Sequence, residues 1–236
     1  MMTLDSIKPL STRSASPRQT PAHSDVSPWL SAIVYPLSRC GVLPLYFRKI
    51  EVKGRENLPR EGPVILAPTH RSRWDAFIVP YAAGPYVTGR HSRFMVTSDE
   101  MRGLQGWVIR KMGGFAVNQK HPAIATVRHG VELLRQGEML VIFPEGNIFR
   151  DRQVHDLKPG LARLALQAES HHPNLGVKIV PMSLHYDPIV PHWRTKVNVQ
   201  IGSPLEVGEY AQGSPKQAAQ RLMGDLSRCL VELDRR

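Results

Sequence analysis

Apolar positions along the chain come in short runs, and the stretches between them carry a helical rather than an alternating period. Val64-Ile65-Leu66-Ala67-Pro68, Arg93 to Thr97, Met139 to Phe143 and Val177 to Leu184 read as strands; Phe115 to Asn118 and Lys196 to Ile201 add two more. Ile50-Glu51-Val52-Lys53 alternates like a half-buried strand ahead of a turn at Gly54. Helical patterns fill the gaps. One enters the core through Trp74, Ala76, Phe77, Ile78 and Val79, and Ser98-Asp99-Glu100 opens another that runs to Met112 with Ser98 or Asp99 as its cap. The Gly113-Gly114 pair ends it. Pro122 begins a helix that Gly137 stops, and Pro159 begins one reaching about Ser170. Ser214-Pro215 with Gln217 has the form of a capping box, after which Leu222, Leu226, Leu230 and Leu233 line one face of a last helix. Strands alternating with helices predict an α/β fold: a single layered domain over residues 50–236 with a mostly parallel sheet flanked by helices.

The most apolar stretch, Trp29 to Phe47, is broken by Pro36, Arg39, Gly41 and Pro44. A membrane-spanning helix needs about 20 mostly apolar residues without such breaks. Residues 29–49 are therefore expected to form short amphipathic helices with aromatic ends and a basic flank (Arg48, Lys49, Lys53, Arg55), suited to a membrane interface. A pair of ordinary core helices fits the same pattern. Residues 1–28, rich in Ser, Thr, Pro and Arg, bury too little to order themselves and are expected to be a disordered tail. A transit peptide is the lesser alternative, since Lys8, Arg13 and Arg18 are its only cations.

Charge and composition narrow the partners. At 236 residues the chain can bury one substantial core. A net charge of +11 suits an anionic partner: lipid headgroups, an acidic carrier protein, a nucleotide-bearing thioester or nucleic acid. Aromatic residues cluster near the apolar N-terminal stretch instead of alternating with basic ones on strands, which argues against nucleic acid. Cys40 and Cys229 make no metal or redox spacing, and His121, His129, His155, His171 and His172 have no ligand-spaced partners, so no metal site is expected.

Two polar clusters stand at strand ends. Thr69-His70-Arg71-Ser72-Arg73-Trp74-Asp75 follows the Val64 strand, and Phe143-Pro144-Glu145-Gly146 closes the Met139 strand. In a parallel sheet both would meet at one edge, where α/β folds place their sites. His70 and Asp75 can touch only if His70 lies in the turn before the helix and reaches over its first turn. The carboxylate then holds one imidazole nitrogen as N–H and leaves the other free to take a proton. The plainer alternatives are a loop histidine and a first-turn acid favourable to the helix dipole. For Glu145 they are a helix cap or a buried ion pair with a nearby arginine.

His70-x4-Asp75 followed by Phe143-Pro144-Glu145-Gly146 resembles the glycerolipid acyltransferase family, typified by 1-acylglycerol-3-phosphate acyltransferases. Gly113-Gly114-Phe115-Ala116-Val117-Asn118-Gln119 is similar to its Gly-x-x-Phe-Ile-x-Arg block, and Ile179-Val180-Pro181-Met182 to its Val-Pro block. The four occur in the family's order over roughly residues 50 to 205. The resemblance implies direct attack of a lysolipid hydroxyl on an acyl thioester, with His70 as general base, Asp75 orienting it, and no cofactor. The donor, acyl-CoA or acyl carrier protein, stays open. Backbone N–H groups near His70, Arg71 and Ser72 are candidates for an oxyanion hole. Glu145 and Gly146 are expected to help position the acceptor. The resemblance also favours the membrane reading of residues 29–49, with a peripheral, monotopic protein on the cytoplasmic face. Two family features are altered: Gln119 replaces an arginine, and Asn147-Ile148-Phe149 replaces Thr-Arg-Ser. Phosphate recognition would then fall to Lys120, Arg150 and Lys158, the last in a Lys158-Pro159-Gly160 that matches the family's Lys-x-Gly. Otherwise the acceptor is another lysolipid or a glycolipid precursor, or the protein binds membrane lipid without catalysis.

Overall fold

A computed structural model of the chain describes residues 26–118 and 124–235. The tail expected over residues 1–28 therefore lies almost wholly outside the described residues. Helix α1 (Pro28–Pro36) runs without a break in helical backbone into a π-wound turn (Leu37–Val42) and α2 (Leu43–Tyr46). The expected separate short helices are one continuous helical segment, because Pro36 and Pro44 each keep helical backbone in the run. The segment does two jobs at once. Ser31, Tyr35 and Leu43 face the protein, while Trp29, Ile33, Leu37 and Leu45 face outward.

Strands β1 (Lys49–Lys53) and β2 (Val64–Pro68) are followed by α3 (Asp75–Ala83) and the single turn α4 (Pro85–Thr88). Next come β3 (Ser92–Thr97), α5 (Gly103–Lys111) and β4 (Phe115–Val117). The helix expected from Ser98 is divided: Ser98–Glu100 is a 3-10 turn, and Met101 folds its backbone so tightly onto Gly106 that a Cβ there would lie 2.2 Å from it. After α5 the N–H of Gly113 bonds Arg110 O and that of Gly114 bonds Ile109 O, the paired bonds of a Schellman stop. Described from Ile124, α6 (Ile124–Arg135) leads to β5 (Met139–Val141), α7 (Gly160–His171), β6 (Lys178–Asp187), β7 (Lys196–Ile201), β8 (Leu205–Glu206) and α8 (Pro215–Asp234). The capping box at Ser214 and Gln217 is present.

Among the described residues the strands make one eight-stranded sheet in the order β1-β7-β6-β2-β5-β3-β4, with β8 beside β6. β6 runs parallel to β2 and with the rest of the central sheet; the parallel pattern breaks beyond it, where β7 and β8 pair antiparallel with β6 and β1 runs parallel to β7. The β6 strand extends three residues past the expected Leu184 because the pairing with β7 runs on to Asp187 opposite Lys196. Alternate residues of each inner strand feed opposite cores. Ile65, Leu140 and Ile179 pack under α6, α7 and α8, whereas Leu66, Val141 and Val180 pack under α2 and α3. The centre of the sheet places β2 directly beside β5 in parallel, so both motif-bearing strand ends emerge side by side.

Candidate active site

β2 ends at Pro68, and residues 69–74 form a turn before α3 starts at Asp75. His70 lies in that turn, with Nδ1 2.8 Å from Asp75 Oδ2. Asp75 is wholly buried, and its carboxylate is held from several sides. Oδ2 also accepts the backbone N–H groups of Arg71 (2.7 Å) and Ser72 (2.9 Å), while Oδ1 accepts the Tyr186 hydroxyl at 2.6 Å. Because a carboxylate only accepts, Nδ1 carries the proton and Nε2 presents its lone pair. The His70 ring stacks on Phe143, centroids 3.9 Å apart and planes 20° from parallel, which fixes its second axis. Burial, and then the neighbouring Asp75, push the Tyr186 hydroxyl well above its ordinary value of 10.0, so it stays a donor.

Glu145 lies behind this turn. Its carboxylate, 1% exposed, accepts His70 N–H at 2.7 Å, His155 N–H at 3.0 Å and Nη1 of the buried Arg71 at 2.9 and 3.0 Å. Arg71 Nη2 continues to Gln153 O at 2.8 Å. Of the alternatives weighed from sequence, a buried ion pair with a nearby arginine is the geometry found. Burying a lone carboxylate would be prohibitive; here each oxygen is matched by cation or backbone donors. The expectation that the N–H groups of His70, Arg71 and Ser72 line an oxyanion hole is corrected: all three already donate to Glu145 or Asp75. Gly146, at φ +76°, turns the chain outward after Glu145 in a conformation that L side chains rarely adopt.

The loop 147–158 closes over the same edge. Phe149 N–H donates to His70 O at 2.9 Å and Lys158 N–H to Pro144 O at 2.7 Å, pinning both ends. The Phe149 ring stacks on His155 at 3.7 Å, and His155 Nε2 pairs with Asp151 at 2.8 Å. That hydrogen bond is the main reason the Asp151 carboxyl lies below its ordinary value. Arg150 and Lys158 are exposed on this loop, Arg150 one residue from the contact with His70. Lys120 and Gln119 lie outside the described residues. Sequence reasoning missed Arg71 and Tyr186; a signal for the first was its place between the histidine and its acid. Among the described residues no group of His, Cys, Asp and Glu is arranged to hold a metal ion, and no helix is long and apolar enough to cross a membrane.

Comparison with known proteins bears on the same residues. The family profile described as Acyltransferase matches residues 49–185, from β1 into β6, taking in His70, Asp75 and Glu145. A 1-acyl-sn-glycerol-3-phosphate acyltransferase of Bacillus subtilis is 22% identical over 192 residues, covering 78% of this chain and 88% of that protein. A chloroplastic counterpart from Arabidopsis thaliana is 26% identical over 160 residues, 66% of this chain but 38% of the relative's length. One from Borreliella burgdorferi is 29% identical over 141 residues, 58% of this chain and about half, 51%, of its own. The crystal structure of the 1-acyl-sn-glycerophosphate acyltransferase of Thermotoga maritima superposes with a TM-score of 0.64 at 20% identity, covering 88% of this chain and 80% of that one.

Proposed function

The chain belongs to the acyltransferase family, and from that premise we propose that it moves a fatty acyl group from an acyl thioester to the free hydroxyl of 1-acylglycerol 3-phosphate, giving phosphatidate. The observation that carries this is the His70–Asp75 pair, with Asp75 held at both oxygens and Nε2 left free. Nε2 takes the hydroxyl proton as the oxygen attacks the thioester carbonyl; the C–S bond breaks as the tetrahedral intermediate collapses. The imidazolium then returns its proton to the departing thiolate. Asp75 stabilises that transient cation and holds the tautomer. A thiolate leaves readily, so no enzyme ester is needed, and no cofactor enters the scheme beyond acyl-CoA or acyl carrier protein as donor. Glu145 and Arg71 act as positioning residues that hold the backbone of His70, while Gly146, Arg150 and Lys158 border the acceptor; Lys120, outside the described residues, stays a candidate for the phosphate from its sequence alone. The outward apolar row Trp29, Ile33 and Leu37 supports a peripheral attachment of residues 29–47 to a membrane, and we place the enzyme on the cytoplasmic face.

One observation favours a different acceptor. The positions where the family carries Thr-Arg-Ser hold Asn147-Ile148-Phe149, and Phe149 is committed to His155. A lysolipid or glycolipid precursor without a phosphate monoester would suit that loop. The deciding assay offers purified protein a panel of labelled thioesters with phosphate-bearing and phosphate-free lysolipids, beside His70→Ala. Loss of the general base should lower turnover by about two to four orders of magnitude with an unchanged unfolding midpoint. Substantial turnover by folded His70→Ala protein would refute the mechanism. Lipid binding with no turnover on any acceptor would leave a binding protein.

A further inference from the structure

The loop joining β6 to β7 takes no part in this chemistry, yet it holds large apolar side chains in solvent: Val190 is 56% and Trp193 54% exposed. The loop is not a loose flap. Arg194 N–H donates to Tyr46 O at 2.7 Å, and Arg48 N–H donates to Thr195 O at 3.1 Å, fastening it to the end of α2. Within it the Thr195 hydroxyl accepts His192 N–H at 2.9 Å. The Trp193 ring meets Tyr46 edge-on, centroids 6.0 Å apart; Tyr46 packs on Trp74 at 4.4 Å, and Trp74 on Phe77 at 6.0 Å. Leu45, 69% exposed, follows the same helix end, and Phe77 is partly exposed on α3. Three segments remote in sequence thus share one aromatic surface; the Tyr46 hydroxyl approaches Pro191 O across 145 positions.

We propose that Val190 and Trp193 form a second membrane-docking element, seated with Leu45 in the interfacial layer of an anionic bilayer. The proposal rests on the membrane reading of residues 29–47 and extends it to a loop that the sequence pattern did not single out. An indole at a loop tip, apolar over its body and polar at Nε1, is the side chain that prefers the headgroup level. The flank fits the sign of such a surface: Arg48, Arg194 and Lys196 are exposed around the loop, against Asp187. Because backbone hydrogen bonds already hold the loop, little ordering is left to lose on docking. A second contact also converts a pivoting helix into a fixed orientation. The orientation matters because Trp74, the inner member of the aromatic chain, immediately precedes Asp75. A bilayer seated here lies beside the turn that carries His70, so an acceptor could reach Nε2 without leaving the lipid.

The test uses the full chain and vesicles of phosphatidylcholine with phosphatidylglycerol, reading binding by co-sedimentation without turnover. Val190→Ser/Trp193→Ser protein should keep its unfolding midpoint and bind vesicles about tenfold or more weaker. In a separate measurement, quenching of tryptophan fluorescence by brominated lipid should drop when Trp193→Phe removes that indole. Binding equal to wild type, or quenching unchanged by Trp193→Phe, overturns the proposal. So does a concentration-dependent dimer that the double substitution dissolves, because the patch would then serve a second copy. Transfer to a short-chain lysolipid below its micelle concentration should be unaffected by the substitutions. Lost vesicle binding without any turnover would uphold the docking element while defeating the enzymatic reading, and unaltered vesicle binding with turnover would do the reverse.

Discussion

At the scale of single residues, the carboxylate of Asp75 decides whether His70 can act as a base. Its Oδ2 faces two backbone N–H groups as well as the imidazole, and backbone donors cannot reverse. In Asp75→Asn the amide oxygen must therefore take the Oδ2 position, its nitrogen turning toward Tyr186, whose hydroxyl can rotate to accept. The tautomer survives but the negative charge facing the imidazolium does not. We expect kcat to fall by about a hundredfold or more with the fold retained, checked by steady-state kinetics beside circular dichroism. Tyr186→Phe removes one neutral donor and should cost about tenfold in kcat with little change in KM. An unaltered kcat would mean that the backbone donors alone orient the carboxylate. The His70–Asp75 pair was legible in the sequence because its members lie five residues apart, in the turn and at the first position of the helix that follows it. Tyr186 was not, since its contact spans 111 positions and arises only where β6 outruns β2 beside α3.

At the scale of elements, the short strands and the stops of the helices were legible because each depends on local chemistry: apolar runs, paired glycines, a capping box. The N-terminal segment was harder, because a helix that is core on one side and exposed on the other satisfies both readings of its pattern. Leu43 is fully buried and Trp29 largely bare within the same run. The loop 147–158 raises a question of charge. If the acceptor carries a phosphate monoester, the described cations on the loop that closes over His70 are Arg150, Arg152 and Lys158, all exposed, and Arg150 and Lys158 are the two assigned to the acceptor. Charge-assisted bonds contribute about 1.5–3 kcal/mol, so Arg150→Ala or Lys158→Ala should raise the lysolipid KM by roughly ten- to a hundredfold. The thioester KM should change less. Comparing phosphate-bearing with phosphate-free acceptors isolates the effect. Equal, small changes on both would remove these residues from the site and support the other acceptor class.

At the scale of the whole molecule, the last helix is tied back to the strand that carries Tyr186. Asp234, near the end of α8, accepts from the Ser183 hydroxyl at 2.9 Å and lies 3.0 Å from His185 Nε2, both on β6. Its side chain is largely buried, and burial alone would raise its pKa. The hydrogen bonds from His185 and Ser183 and the field of Arg71 outweigh that, and the carboxyl lies below its ordinary value of 3.8. A depressed carboxylate means that the unfolded chain binds the proton more readily. The clamp therefore stabilises the fold fully above pH 3.8 and is lost as pH falls through the lower, folded value. Other carboxyls share this acid limb, Glu132 among them at about 2 through its bonds to Arg135 and Gln136, so the wild-type curve alone cannot assign it. The difference from Asp234→Asn can. Urea midpoints measured from pH 7 down to 2.5 should show the variant less stable at neutral pH and the two proteins converging below pH 3.8. Curves that stay parallel throughout would mean that Asp234 holds α8 by shape rather than by charge, and that acid unfolding begins elsewhere in the sheet.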